Sequence, residues 1–219
     1  MNLYTFFTPT HSTLFHDYFK KSLSVDPGVK LIAKEFEQEC PTGEYHAEGW
    51  SKTMRKKVQL IITGIEETWG DCFIHADCDV IFLQRFKEKL IEELVDADIA
   101  LQNDLTVCCA GFFVARSNDK TLKLFKTVLE NLDAFEDDQV ALNYYLPTVT
   151  ARVLSHEFYS IGLATGGRPY PGPYSDADLL HHIGEVNIRA FHANYTKGVE
   201  NKIKLLNLIK ERQNSLNHA

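Results

Sequence analysis

The sequence predicts an α/β fold in one domain, on three observations. The chain opens as strand, turn, helix and strand; short apolar runs then alternate with helical stripes along most of its length; and its 219 residues lie near the upper end of what one hydrophobic core supports. Leu3 to Phe7 reads as a buried strand, closed by Thr8-Pro9-Thr10, whose hydroxyls suit a helix start. Leu14, Phe15, Tyr18 and Phe19 recur at helical spacing, and after Asp26-Pro27-Gly28 the segment Val29 to Ala33 offers a second strand.

A basic, then apolar, helical stretch from Trp50 to Ile65 precedes the strand Asp71 to Ala76, which stops at Asp77. Phe86, Leu90, Ile91, Leu94 and Val95 form the next helical stripe, followed by strands at Asp98 to Leu101 and Phe112 to Ala115. Leu122, Phe125, Val128, Leu129 and Leu132 mark another helix, Asp137-Asp138-Gln139 opens a shorter one, and Arg152 to Phe158 reads as extended. Glycines and prolines between Gly162 and Asp178 predict a long mobile loop near 162–178, and a C-terminal helix is expected near 199–215. A single unit over 1–219 accounts for all of this.

Hydrophobic residues at 44% and charged residues at 24% match a soluble globule, and no apolar run is long enough to cross a bilayer. The formal charge of -7, from 23 Lys+Arg against 30 Asp+Glu, opposes a broad grip on nucleic acid or anionic lipid. Five irregularly spaced cysteines suggest neither a zinc motif nor a disulfide framework, and MNLYTFFTPTHS lacks the pattern of a secretory signal. Reduced cytoplasm is the expected compartment.

The sharpest chemical feature is Asp77-Cys78-Asp79 directly after an apolar strand, because α/β sheets bind ligands beyond the carboxyl ends of their strands. In an extended segment residues two apart point the same way, so both carboxylates would converge on one hard cation, or on a cation and a ribose hydroxyl. Taken alone, the motif also fits a solvated polar turn.

The string FIHADCDVIF, then Gly111-Phe112-Phe113, then Glu136-Asp137-Asp138-Gln139 with Asn143, then Phe191-His192-Ala193-Asn194 before Lys197-Gly198, resembles nucleotide-diphospho-sugar transferases of the GT-A fold. The likeness runs from LYTFFTP to HANYTKGVENK and is greatest to compact metal-dependent enzymes of bacteria and large viruses, which implies the cytoplasm of a bacterium or of an infected host. It implies a Rossmann-like fold with a mostly parallel central sheet flanked by helices, a nucleoside-diphosphate sugar donor, a glycan or other hydroxyl acceptor, and Mn²⁺ or Mg²⁺.

By the same resemblance Asp79 holds the metal, Asp77 contacts metal or ribose, and His192 completes the metal set. Lys197 and the backbone after Gly198 face the leaving diphosphate, with Lys202 as a possible helper. Phe6 to Thr10, with Phe6 and Thr8, cradle the nucleobase. Lys57 or Lys56 reaches a phosphate or belongs to a solvated basic face. Asp138 and Gln139 lie on the acceptor side, unless they only cap a helix. An inverting enzyme would use Asp138 as general base; a retaining one, the commoner outcome in related families, would use it to position the sugar. Two alternatives remain: a noncatalytic sugar-nucleotide or glycan-binding module, and a haloacid-dehalogenase-like phosphatase, which also carries Asp-x-Asp after a strand but favours Thr or Val where Ile81 stands.

Overall fold

The computed structural model describes residues 1–43 and 45–217. Its framework follows from side chains that alternate across a pleated strand. Strand β1 (Asn2–Phe7) turns Leu3 and Phe7 to one apolar cluster and Tyr4 and Phe6 to another. A 3₁₀ turn (Pro9–His11) leads into a helical run made of a π-helical stretch (Leu14–Phe19), α1 (Lys20–Ser22) and a second 3₁₀ turn (Leu23–Val25). Phe15 of that run stacks on Phe7 with ring centroids 4.1 Å apart. Thr8 makes no side-chain cap at this start; its hydroxyl bonds instead to Thr10 and His11.

After β2 (Lys30–Glu35) the chain reaches α2 (Trp50–Glu67), β3 (Cys72–Ala76), β4 (Val80–Phe82), α3 (Lys87–Leu94), β5 (Ile99–Asp104) and β6 (Val107–Arg116). Next come α4 (Asp119–Asn131), α5 (Asp138–Tyr145), β7 (Ala151–Val153), β8 (Phe158–Ser160), α6 (Ile161–Thr165), α7 (Asp176–Ile183), β9 (Ala190–His192) and α8 (Val199–Asn217). The main sheet has the order β2-β1-β3-β6-β5-β7, and every pair in it is parallel except those made by β6. Ile74, Phe112 and Val114 pack to one face with α3, while Phe73, Phe113 and Ala115 pack to the other with α2 and α4. Among the described residues no helix is long and apolar enough to cross a membrane.

A second sheet, β4-β9-β8, sits beside the first and packs on α7 and α8 through Ile81, Tyr159, Phe191 and Leu205. Its three-residue strands were not foreseen. The extended stretch expected from Arg152 to Phe158 is two strands of different sheets, separated where Phe158 N donates to Ser155 O. The long loop expected near 162–178 is shorter. Ser160 caps α6 by accepting from Gly162 N, and Ser175 forms a capping box with Asp178 at α7, so both ends of that stretch are helical and the irregular part is 166–175.

Candidate active site

At the carboxyl end of β3 the chain turns rather than continuing extended: Val80 N donates to Asp77 O at 3.2 Å. Convergence therefore comes from strand pairing and not from the alternation expected of an extended run. β4 pairs with β9 so that Val80 lies opposite His192, and Ala193 N donates to Asp79 O, which brings the Asp79 carboxylate against the imidazole. One ligand atom from each of Asp77, Asp79 and His192 lies within 4.8 Å of the others. The backbone of β6 makes room for them. Gly111 O accepts from Asp77 N, and a Cβ at Gly111 would stand 2.5 Å from His192 Cε1.

His192 is oriented from behind. Its Nδ1–H donates to Gln102 Oε1 at 2.9 Å, with the Cys109 thiol at 3.6 Å, which leaves Nε2 facing Asp79 Oδ1 at 3.1 Å. Burial disfavours the imidazolium, but the Asp79 carboxylate prevails and raises the His192 pKa to about 10. Burial likewise opposes ionisation of Asp79, yet Lys202 and His192 hold its carboxyl well below the usual range. The Lys202 ammonium bonds directly to Asp79 Oδ2. Two carboxylates and one imidazole, gathered over Gly111 of β6, form a donor set for a hard divalent cation, and a cation there would take over the charge balance that Lys202 and His192 now supply.

Lys57 sits between Asp77 and the start of α5. Its side chain is 3% exposed, with Nζ 3.0 Å from Asp77 Oδ2 and 3.1 Å from Asp138 Oδ2. Against burial, Lys57 lowers the Asp77 pKa to about 2, helped by His75 Nε2 at 3.3 Å from Asp77 Oδ1. For Asp138 burial is the stronger influence and its carboxyl is pushed up despite Lys57. Asp137, not Asp138, caps α5, its side chain accepting from Val140 N. Gln139 is held at both ends: Oε1 accepts from Ala110 N, and Nε2 donates to Asp104 Oδ2 at 2.9 Å.

The other expected residues lie outside these contacts. Phe6 is buried and stacks on Phe36, and Thr8 is buried at the start of the following turn. Lys197 is exposed, and Gly198 has φ +77°, a left-handed turn into α8 that favours glycine. Lys56 instead pairs with Glu39 and belongs to a different face. Sequence reasoning missed Asp104. This buried carboxylate at the end of β5 accepts from Gln139, Ser160, Asn194 and Tyr195, joining Gln139 to the segment after β9. Its signal was weaker than that of Asp77, because Gln102 and Asn103 separate it from the apolar run that ends at Leu101.

The nucleotide-diphospho-sugar transferase family matches residues 29–206. The chain belongs to that family. This nucleotide-diphospho-sugar transferase is 30% identical over 94 residues to a UDP-galactose:fucoside alpha-3-galactosyltransferase of Dictyostelium discoideum, a stretch covering 42% of the chain and 14% of that relative. In fold the transferase is similar to a glycosyltransferase involved in the glycosylation of the major capsid of PBCV-1, with TM-score 0.62 and 13% identity over 94% of this chain and 98% of that one. It is similar also to the galactosyltransferase LgtC solved with donor and acceptor sugar analogs, with TM-score 0.56 and 10% identity over 94% and 95% of the two chains. The fold is accordingly GT-A, and the phosphatase alternative falls.

Proposed function

We propose that this transferase moves a sugar, with retention of configuration, from a nucleoside-diphosphate sugar to a hydroxyl of a glycan or other acceptor, using Mn²⁺ or Mg²⁺. The observation that carries the reading is the convergence of Asp77, Asp79 and His192 at the carboxyl edge of the sheet. When bound, a divalent cation there supplies positive charge against the donor diphosphate. Asp79 and His192 are the principal ligands, and Asp77 serves metal or ribose. The turn after β1, with Phe6 as an apolar wall and Thr8 as a polar edge, takes the base. Lys197 and the backbone after Gly198 stabilise the departing diphosphate, with Lys202 close at hand on Asp79.

On the acceptor side, the fixed amide of Gln139 and the Asp138 carboxylate position the sugar, while a donor phosphate oxygen takes the acceptor proton. A thermal-shift titration tests the donor half. UDP is the first probe, because the Dictyostelium relative is named for UDP-galactose. UDP should raise the melting temperature only with Mn²⁺ or Mg²⁺, and Asp79→Ala should abolish that dependence. Undiminished coupling of metal and nucleotide in the variant would defeat the assignment. The stereochemical half is read from the product anomer by NMR and from Asp138→Asn, which should keep measurable turnover; near-complete loss with inverted product would instead make Asp138 the base.

A further inference from the structure

Both oxygens of Asp79 have a cationic partner within the chain. Oδ1 faces His192 Nε2 at 3.1 Å, and Oδ2 bonds directly to the Lys202 ammonium. The two partners behave differently toward a divalent cation. An imidazole gives up a proton and becomes a ligand, whereas an ammonium has no lone pair and its charge opposes the incoming ion. Lys202 is thus the group that has to withdraw.

Its surroundings permit this. Lys202 stands in the first turn of α8, where its N–H donates to Gly198 O at 3.2 Å, and the following turns bury Leu205, Leu206 and Ile209, so the helix itself is fixed. The side chain is less confined: it is 17% exposed, and among the described residues its one ion pair is with Asp79. Lys57 is the contrast. That ammonium is 3% exposed and lies between Asp77 and Asp138, so a cation that draws Asp77 away leaves it a second carboxylate. Lys202, once released, has no second carboxylate within ion-pair distance among the described residues and gains most from an anion brought by a ligand.

We infer that Lys202 is a tethered rival of the divalent cation for Asp79, and that a bound nucleoside diphosphate relieves the rivalry by offering the ammonium another anion, so that metal and nucleotide load together. The inference rests on the reading of Asp79 as a metal ligand. Electron paramagnetic resonance of free Mn²⁺ tests it by measuring uptake of the ion by the whole chain, first without UDP and then with UDP in excess, the uptake by UDP alone being subtracted. Without UDP, Lys202→Met should bind Mn²⁺ about tenfold more tightly than the wild type, because methionine has a similar reach and no charge. Lys202→Arg keeps a cation and should bind as weakly as the wild type. Lys204→Met, on the same helix but paired with Asp176, should alter the affinity by no more than about twofold. With UDP in excess, the gap between Lys202→Met and the wild type should shrink to about threefold or less. Circular dichroism checks that Lys202→Met is folded, and Lys202→Gln takes its place where it is not.

Equal or weaker Mn²⁺ binding by the folded neutral variant, tight binding by Lys202→Arg, an effect as large in Lys204→Met, or a gap that UDP leaves unchanged would each overturn the rivalry. Asp79→Ala keeps the two readings apart. Mn²⁺ binding by that variant as tight as the wild type's in the presence of UDP would remove Asp79 from the metal site and the rivalry with it. Loss of Mn²⁺ there, together with equal affinities in the wild type and the Lys202 variants, would refute the rivalry alone.

Discussion

A methyl group at position 111 would lie 2.6 Å from Asp77 Oδ2 as well as against the imidazole, nearer than side-chain carbons pack. The backbone at Gly111 is thus the floor on which two of the three metal-binding candidates rest. Gly111→Ala should retain the fold, since the displaced groups are side chains at a sheet edge, but should lose the Mn²⁺-dependent thermal shift with UDP. Circular dichroism of the free protein and the shift itself check this, and intact coupling would mean that Asp77 and His192 move aside without cost. Asp77, Asp79 and His192 were readable because each stands at a strand end in a matching string. Gln102 was not, because the amide that fixes the His192 tautomer is known only once β5 of one sheet and β9 of the other are brought into contact. Lys202 was ambiguous for a related reason: which face of α8 meets Asp79 depends on how the helix docks, which helical periodicity leaves open.

Among the elements, one carboxylate joins three. Asp98, just before β5, accepts from Thr150 N ahead of β7, from Asn118 at the cap of α4, and from Lys120 in that helix's first turn. Burial alone would raise its pKa, but the Thr150 amide, Asn118 and Lys120 together lower it. The folded value therefore sits below the unfolded one, so this stabilisation is complete above about pH 4 and fades as pH falls through the folded value. Asp98→Asn should flatten the acid fall of the melting temperature below about pH 4, at the expense of some stability near neutrality. A fall as steep as that of the wild type would assign the acid sensitivity to other carboxylates. The helix α4 was legible from apolar period alone, whereas of β6 only the part from Phe112 to Ala115 was, because Cys108 to Gly111 carry too little apolar bulk to mark a strand. β4 and β9 were not: three residues carry too little periodicity, and it is their mutual pairing that makes them strands.

For the molecule as a whole, the site is assembled from the edges of two sheets and the start of α8, so transition-state charge must be met by groups distant in sequence. Lys197 is proposed as one of them. If it stabilises the departing diphosphate, Lys197→Ala should lower kcat by roughly 2–4 kcal/mol in barrier terms and leave acceptor KM in place; a change confined to acceptor KM would move it out of the donor site. Its position is secured by main-chain groups. Tyr170 N donates to Tyr195 O, and Lys197 N donates to Tyr170 O, pinning the irregular 166–175 stretch to the segment that carries the lysine. Since side chains take no part in those two bonds, exposed positions of that stretch such as Arg168 can diverge in sequence without losing the lysine's register, whereas Tyr174, bonded to Thr165 O, and Ser175, which caps α7, are held. Evolution can therefore vary the exposed tip of 166–175 while the segment that carries Lys197 stays in place, and a library randomised there but sparing Tyr170, Tyr174 and Ser175 should keep the melting temperature of the wild type more often than it loses it.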